Sequence, residues 1–182
     1  MSSSKRFQPI TVGNAKLHRI VMAPLKRFRS VDNNIPLPNM LEYHTQRAST
    51  SGTLIIAEAT QISPQHCGGP SAPGLWNAAQ IESWSKIAEA VHSQGCAIYC
   101  QLCAPGRAGR LEGYPLYSSS TVPMEASVGI CFSNWGNQSP ILVAGGFDGE
   151  SARSAVDGEY QQHDTLVVFG RCFVSTPDWS FV

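Results

Sequence analysis

The sequence predicts an α/β protein whose strands run parallel. Apolar runs alternate with helical stretches, so the chain reads strand, helix, strand, helix, strand, a long irregular stretch, strand, helix, strand. The runs are nearly continuous in Val, Ile, Leu and Ala rather than alternating with polar residues, as strands covered on both faces are. They stop abruptly at Gly or Pro, as in "ILVAGGF" (141–147) and "LVVFGR" (166–171). At 182 residues and 42% apolar, the chain is long and apolar enough for one domain with a real core.

Taken in order, "RIVMAPL" (19–25) is a strand running into a proline loop. Met40, Leu41, His44 and Ala48 then have helical spacing, with Gly52 as the stop. "TLIIAEA" (53–59) is the second strand. In "NAAQIESWSKIAEAVHSQG", Asn77 caps a helix and Gln80 sits three residues on, as in a capping box. Ile81, Trp84, Ile87, Ala88 and Val91 make its apolar face, and Gly95 ends it. "CAIYCQL" (96–102) is the third strand. Residues 104 to 139, rich in Ser, Gly and Pro, exceed an ordinary loop. "DGESARSAVDGEY" (148–160) is a short helix between the last two strands, with Ala152, Ala155, Val156 and Tyr160 inward.

Lys plus Arg equal Asp plus Glu at 13 each, so the formal net charge is zero. That balance argues against a nucleic-acid partner or an acidic membrane surface, which would need a basic excess. No apolar run approaches a membrane span, and "MSSSKRFQPI" has no signal-peptide core, so a cytoplasmic location with reduced thiols is expected.

Cys96, Cys100 and Cys103 match the C-x3-C-x2-C spacing of iron–sulfur sites in radical-SAM enzymes. A strand there points Cys100 and Cys103 to opposite faces, so buried free thiols are the preferred reading and no metal is expected. Gly145 and Gly146 follow one late strand, and Gly170 and Arg171 follow the next. Bare amides beside one cation suit a phosphate, and loops after the last strands of a parallel barrel commonly bind one; the glycines could equally serve only as tight turns. His18, His44, His92 and His163 read as core or surface residues, and only His66, in a Gly/Pro loop, could face a pocket.

Several segments resemble the old yellow enzymes, especially fungal ones. They are "HRIVMAPLKRFR", "EYHTQRAS", "GTLIIAEATQISPQ", "APGLWNAAQIESWSKIAEAVHSQG", "YCQLCAPGRAG", "PILVAGGF" and "LVVFGRCFVSTPD". The resemblance covers roughly 8–125 and 134–181, in the family's order. It implies an eight-stranded α/β barrel carrying FMN that reduces activated carbon–carbon double bonds with hydride from NAD(P)H. It implies that Ala23, Pro24 and Leu25 lie along the flavin ring, with Lys26 and Ala59 near its carbonyl and N5 edge. Gln101 would bond the pyrimidine end, and Gly145, Gly146, Gly170 and Arg171 the phosphate. The chain departs from the pattern at Lys26, where Thr or Cys is frequent, at Ala59 in place of Gly, and at Cys103 in place of Trp.

The family's middle strands, with the carbonyl-binding His pair, the tyrosine proton donor and a flavin-contacting arginine, have no counterpart. The family's last helix would also be missing after Phe181. The implied fold is an incomplete TIM-type (β/α) barrel of about five parallel strands, in order 7-8-1-2-3 of the parent barrel. It would be one partial domain, 1–182, divided into an N-terminal barrel part (8–125), a junction (126–139) and a phosphate-binding part (140–182). Open edges at 96–102 and 140–144 invite a homodimer, unless 104–139 covers the open side. Three functions follow. The first is an FMN-dependent NAD(P)H oxidoreductase of fungal secondary metabolism acting on a small lipophilic substrate. The second is a redox-neutral isomerase, epimerase or cyclase on a polyene or enone, with Lys26, Glu58, His66 and Tyr99 as acid–base candidates. The third is an inactive truncated homologue.

Overall fold

The computed structural model describes residues 4–67, 69–105 and 140–175. After a 3-10 turn at Lys5–Phe7, β1 (Ile10–Val12) and β2 (Ala15–Leu17) form an antiparallel hairpin. Gly13 at its tip has φ +59°, a conformation that costs glycine little. A parallel strand, β3 (Ile20–Met22), follows, and then a second hairpin of β4 (Ser30–Val31) and β5 (Ile35–Pro36). Next come α1 (Pro38–Arg47), β6 (Leu54–Ile56) and β7 (Thr60–Gln61). The longest helix, α2 (Ala78–Ser93), leads to β8 (Ala97–Tyr99) and β9 (Leu102–Cys103). The last described stretch holds β10 (Ile141–Ala144), α3 (Gly149–Ser154), β11 (Thr165–Phe169) and α4 (Arg171–Ser175).

Five of these strands make one sheet in the order β10-β11-β3-β6-β8, and every pairing is parallel. This is the order expected of an incomplete barrel: the late pair of strands lies against the first, followed by the second and third. Among the described residues the sheet does not close, and β10 and β8 are its two edges.

The sheet is buried from both sides by different means. Met22, Ile55, Val143, Val167 and Phe169 face a cluster completed by Ala48, Val91, Ala152, Val156 and Phe173 from the helical layer. Val21, Leu54, Ala97, Leu166 and Val168 point the other way and meet Ile10 and Leu17 of the β1–β2 hairpin. The hairpin therefore plugs the concave face where opposing strands of a closed barrel would pack. Burying a side chain such as Leu54 or Leu166, both 1% exposed or less, stabilises by about 1.5–3 kcal/mol. Toward the edges this face is less covered. Leu142, in register with inward-facing Leu166, is 43% exposed, and Tyr99, in register with Ile56, is 47% exposed.

Several elements differ from the sequence reading. The strands are shorter than their apolar runs. Helix α1 ends at Arg47, where Ala48 already leaves helical geometry, rather than at Gly52. In α2 the capping box forms as expected, and Gly95 follows with φ +73°. The buried face of α2, however, is Gln80, Ile87 and Val91, whereas Ile81 is 52% exposed. Gln80 turns inward because its amide oxygen accepts the backbone N–H groups of Trp76 (2.7 Å) and Asn77 (3.2 Å), while its amide nitrogen donates to Asn33 O at 2.7 Å. Cys96 is buried, with its thiol against Ala48 O (3.2 Å) and Thr50 O (3.0 Å), and burial pushes that thiol up. Cys100, just past the end of the edge strand β8, is exposed rather than buried. The junction 126–139 and the expected loss after Phe181 lie outside the described residues.

Candidate functional site

Parallel strands deliver their following loops to one end of a sheet, and in barrels of this kind that end carries the chemistry. Here the C-terminal ends of β3, β6, β8, β10 and β11 present residues 23–28, 57–59, 100–101, 145–147 and 170–171. The ladder continues past the strands: Ala23 N–H donates to Phe169 O, Ala57 N–H to Tyr99 O and Thr60 N–H to Gln101 O, each at 2.8 Å. The rim is thus tied together by backbone as well as by side chains.

At one side of the rim, the loops after β3, β10 and β11 converge. A Cβ on Gly170 would lie 3.4 Å from Leu25 Cδ2 and 3.7 Å from Ala23 Cβ. Gly146 has φ +74°, and a Cβ there would lie 3.9 Å from Arg171 Nη2. Beside it, a Cβ on Gly145 would meet nothing within 4 Å. Bare backbone, open space and a guanidinium therefore meet in one place. Among the described residues no carboxylate pairs with Arg171. This corner can receive an anion with a planar fork of donors.

The next loop along is fixed by Glu58. Its side chain is inside a residue only 3% exposed, and Oε2 accepts the backbone N–H of Arg27 at 2.8 Å and of Phe28 at 3.2 Å. Phe28 has φ +52°, which an L-residue adopts at a cost, and the carboxylate offsets it. Lys26, two residues before Phe28, is exposed. Behind the loop, the Arg47 guanidinium lies 3.7 Å over the Tyr43 ring, and that of Arg27 lies 5.6 Å from the same ring. Burial pushes the Tyr43 phenol up, while Arg47 and then Arg27 pull it back down.

The structure thus gathers Ala23, Leu25, Gly146, Gly170 and Arg171 at one corner, with Pro24 and Gly145 adjacent in the chain. It places Lys26 on the loop that Glu58 holds. Ala59, 5% exposed, and Gln101 sit on the neighbouring segments joined by the Thr60–Gln101 bond. Tyr99 ends β8 on the concave face. His66 belongs to another segment, the turn Pro64–His66, where its Nδ1 lies 2.8 Å from Ser63 Oγ. Among the described residues no group of three His, Cys, Asp or Glu is placed to hold a metal. Nor is any described helix long and apolar enough to cross a membrane. The Tyr43–Arg47 pair was not anticipated, and its i,i+4 spacing in "YHTQR" was the available signal.

Residues 5–135 match the family model described as NADH:flavin oxidoreductase / NADH oxidase. The chain is 53% identical over 129 residues to the NADP-dependent oxidoreductase lnbE of Aspergillus flavus, a match covering 68% of this chain and 34% of that protein. It is 39% identical over 170 residues to the chanoclavine-I aldehyde reductase fgaOx3 of Penicillium roqueforti, covering 84% of this chain and 46% of the other. Among solved structures, the Old Yellow Enzyme from Pichia sp. AKU4542 superposes with a TM-score of 0.56 at 39% identity, over 58% of this chain and 28% of that one. The chain therefore spans between about a third and a half of the length of these curated relatives.

Proposed function

The chain belongs to the NADH:flavin oxidoreductase / NADH oxidase family, and from that premise we propose that its five-stranded sheet is a flavin mononucleotide cradle of old yellow enzyme type. The observation that carries the reading is the corner where Gly146, Gly170 and Arg171 meet the end of β3. A phosphate dianion fits there: Gly145 and Gly146 offer unobstructed backbone, and Arg171 has no competing carboxylate among the described residues. Ala23, Pro24 and Leu25 run on from the end of β3 at that corner and would support the ring. Gln101 would reach its pyrimidine end, and Ala59 and Lys26 its opposite edge.

When bound, FMN supplies hydride chemistry, drawn from NAD(P)H and passed to an activated carbon–carbon double bond. The chain's own part is to bind and orient. Arg171 neutralises the phosphate. Glu58 fixes the backbone that follows Lys26, and a Lys26 ammonium within reach of the ring would favour its anionic reduced form. The substrate is proposed to be small, lipophilic and part of fungal secondary metabolism, as the relatives' organisms and names suggest. Of the acid–base candidates for redox-neutral chemistry, Glu58 is the one already engaged by two backbone amides, which weakens that reading. The exposed strand edges and Leu142 favour a second copy of the chain as partner.

Native mass spectrometry of the purified chain with added FMN tests the proposal. One FMN per chain is expected, on a dimer, with a yellow protein in solution. Arg171→Glu is expected to abolish uptake. A wild-type chain that stays colourless and flavin-free at about millimolar FMN sinks the reading; a flavin-loaded monomer sinks only the dimer.

A further inference from the structure

We propose that Tyr43 and Arg47 form a strut that couples the phosphate corner to the Lys26 loop, so that anchoring a flavin by its phosphate also fixes the loop at the other end of the ring. The proposal rests on the flavin reading above and adds to it two positioning residues that touch neither flavin nor substrate.

The strut begins at the corner. Phe173 lies two residues beyond Arg171 in α4; its N–H donates to Gly170 O at 3.1 Å and its side chain is fully buried. The Phe173 carbonyl accepts from Arg47 Nε at 3.0 Å, across 126 positions of sequence. Arg47 Nη1 donates to Tyr43 O at 3.0 Å, and the guanidinium is stacked 3.7 Å over the Tyr43 ring. Arg27 reaches the same ring from the β3 loop, 5.6 Å from its centroid. Arg27 and Phe28 are held in turn by Glu58. The path is therefore continuous: Gly170, Phe173, Arg47, Tyr43, Arg27, Glu58.

Two features show that this path is more than incidental packing. Arg47 is 6% exposed, and among the described residues no carboxylate neutralises it. A buried cation in that situation is costly, so its two carbonyl acceptors and the ring face are what keep it in place. Moving Phe173 removes one of those three supports. Second, Arg27 and Arg47 carry like charges that oppose each other, yet both lie over the one Tyr43 ring, 5.6 and 3.7 Å from its centroid. Displacing Arg47 therefore alters the balance that positions Arg27 and its loop. An anion bound at Arg171 fixes α4 and hence Phe173, and that order is passed along the strut.

The test is the ratio of riboflavin to FMN dissociation constants, because the two ligands differ only in the phosphate. Quenching of flavin fluorescence measures both in the wild type, in Tyr43→Leu and in Arg47→Lys, which keeps the cation but loses the planar fork. The ratio is expected to fall about fivefold or more in both variants, the lower end of typical coupling between sites. Equal weakening toward both flavins would show Tyr43 and Arg47 to be packing residues only, and unchanged affinity for both would show them to be inert; either leaves the ratio as in wild type and overturns the proposal. If both variants fail to fold, hydrogen exchange on the wild type decides. FMN is expected to protect the Arg27 and Phe28 amides more than riboflavin does, and equal protection overturns the strut. A wild type that binds neither flavin overturns the flavin reading and the strut together, whereas a wild type that prefers FMN with a ratio insensitive to both variants removes the strut alone.

Discussion

Replacing Glu58 by Gln isolates the charge that holds the β3 loop. The side chain keeps its length and one carbonyl oxygen, so the geometry at Arg27 N (2.8 Å) and Phe28 N (3.2 Å) can persist. What changes is that two charge-assisted bonds become neutral ones. Hydrogen bonds to charged groups contribute about 1.5–3 kcal/mol and neutral ones about 0.5–1.5, so two bonds lose about 2–3 kcal/mol in total. Glu58→Leu goes further and strands both N–H groups, at about 1–3 kcal/mol each. For a chain of this size each kcal/mol moves the melting temperature by about 2–4 °C, so Glu58→Gln should melt about 4–12 °C lower. Urea unfolding followed by tryptophan fluorescence is the assay, with the midpoint falling and the m-value unchanged. The order wild type, Gln, Leu is the signature of a clamp. If Glu58→Gln lies within about 0.5 kcal/mol of wild type, within the range of ordinary surface substitutions, the charge is not what holds the loop.

His44, 2% exposed, has its pKa lowered, chiefly by burial, with the Met40 carbonyl opposing and Arg47 adding to the shift. The unfolded chain therefore binds a proton that the folded chain refuses. The contribution is full above about pH 6.5, the ordinary histidine value, and is lost as pH falls toward the lower folded value; urea midpoints at pH 7.5 and 5.0 should differ less in His44→Gln than in wild type. Gly146→Ala forces a side chain into φ +74° with its Cβ 3.9 Å from Arg171 Nη2. In the free variant the loop can relax out of that conformation, and binding must restore it at about 1–2 kcal/mol, so FMN affinity should weaken about 5- to 30-fold by fluorescence titration; an unchanged affinity would place the phosphate elsewhere. Gln80→Ala removes three hydrogen bonds from a side chain that is fully buried. It should cost about 2–4 kcal/mol in urea unfolding, and a loss below about 1 kcal/mol would mean that water replaces the amide.

What the sequence made legible was local or carried by the family pattern. The α2 capping box is written in four consecutive residues, so Asn77 and Gln80 could be read without tertiary context. The sheet order followed from which barrel segments are present, since ring neighbours stay neighbours when the remainder is missing. The β1–β2 hairpin leaves no long apolar run to read, because its strands are three residues each around a Gly-Asn turn. Ile81 was misjudged because helical periodicity treats Gln80 as polar and therefore outward. Its three bonds to backbone groups reverse that. Of the Arg27–Tyr43–Arg47–Glu58 group only the i,i+4 pair Tyr43 and Arg47 is legible in the sequence: the links to Glu58 and Phe173 span 31 and 126 positions.

The central strand of the sheet, β3, has one neighbour that arrives soon after it and another that arrives very late. Arg19, just before β3, donates to Thr165 O at the start of β11, a separation of 146 positions. During synthesis β3, β6 and β8 can assemble early, yet one flank of β3 must wait, unpaired and apolar, until β11 emerges from the ribosome. Long-range parallel pairing of this kind is intrinsically slow. Until then the nascent sheet is open to misassembly along that flank of β3.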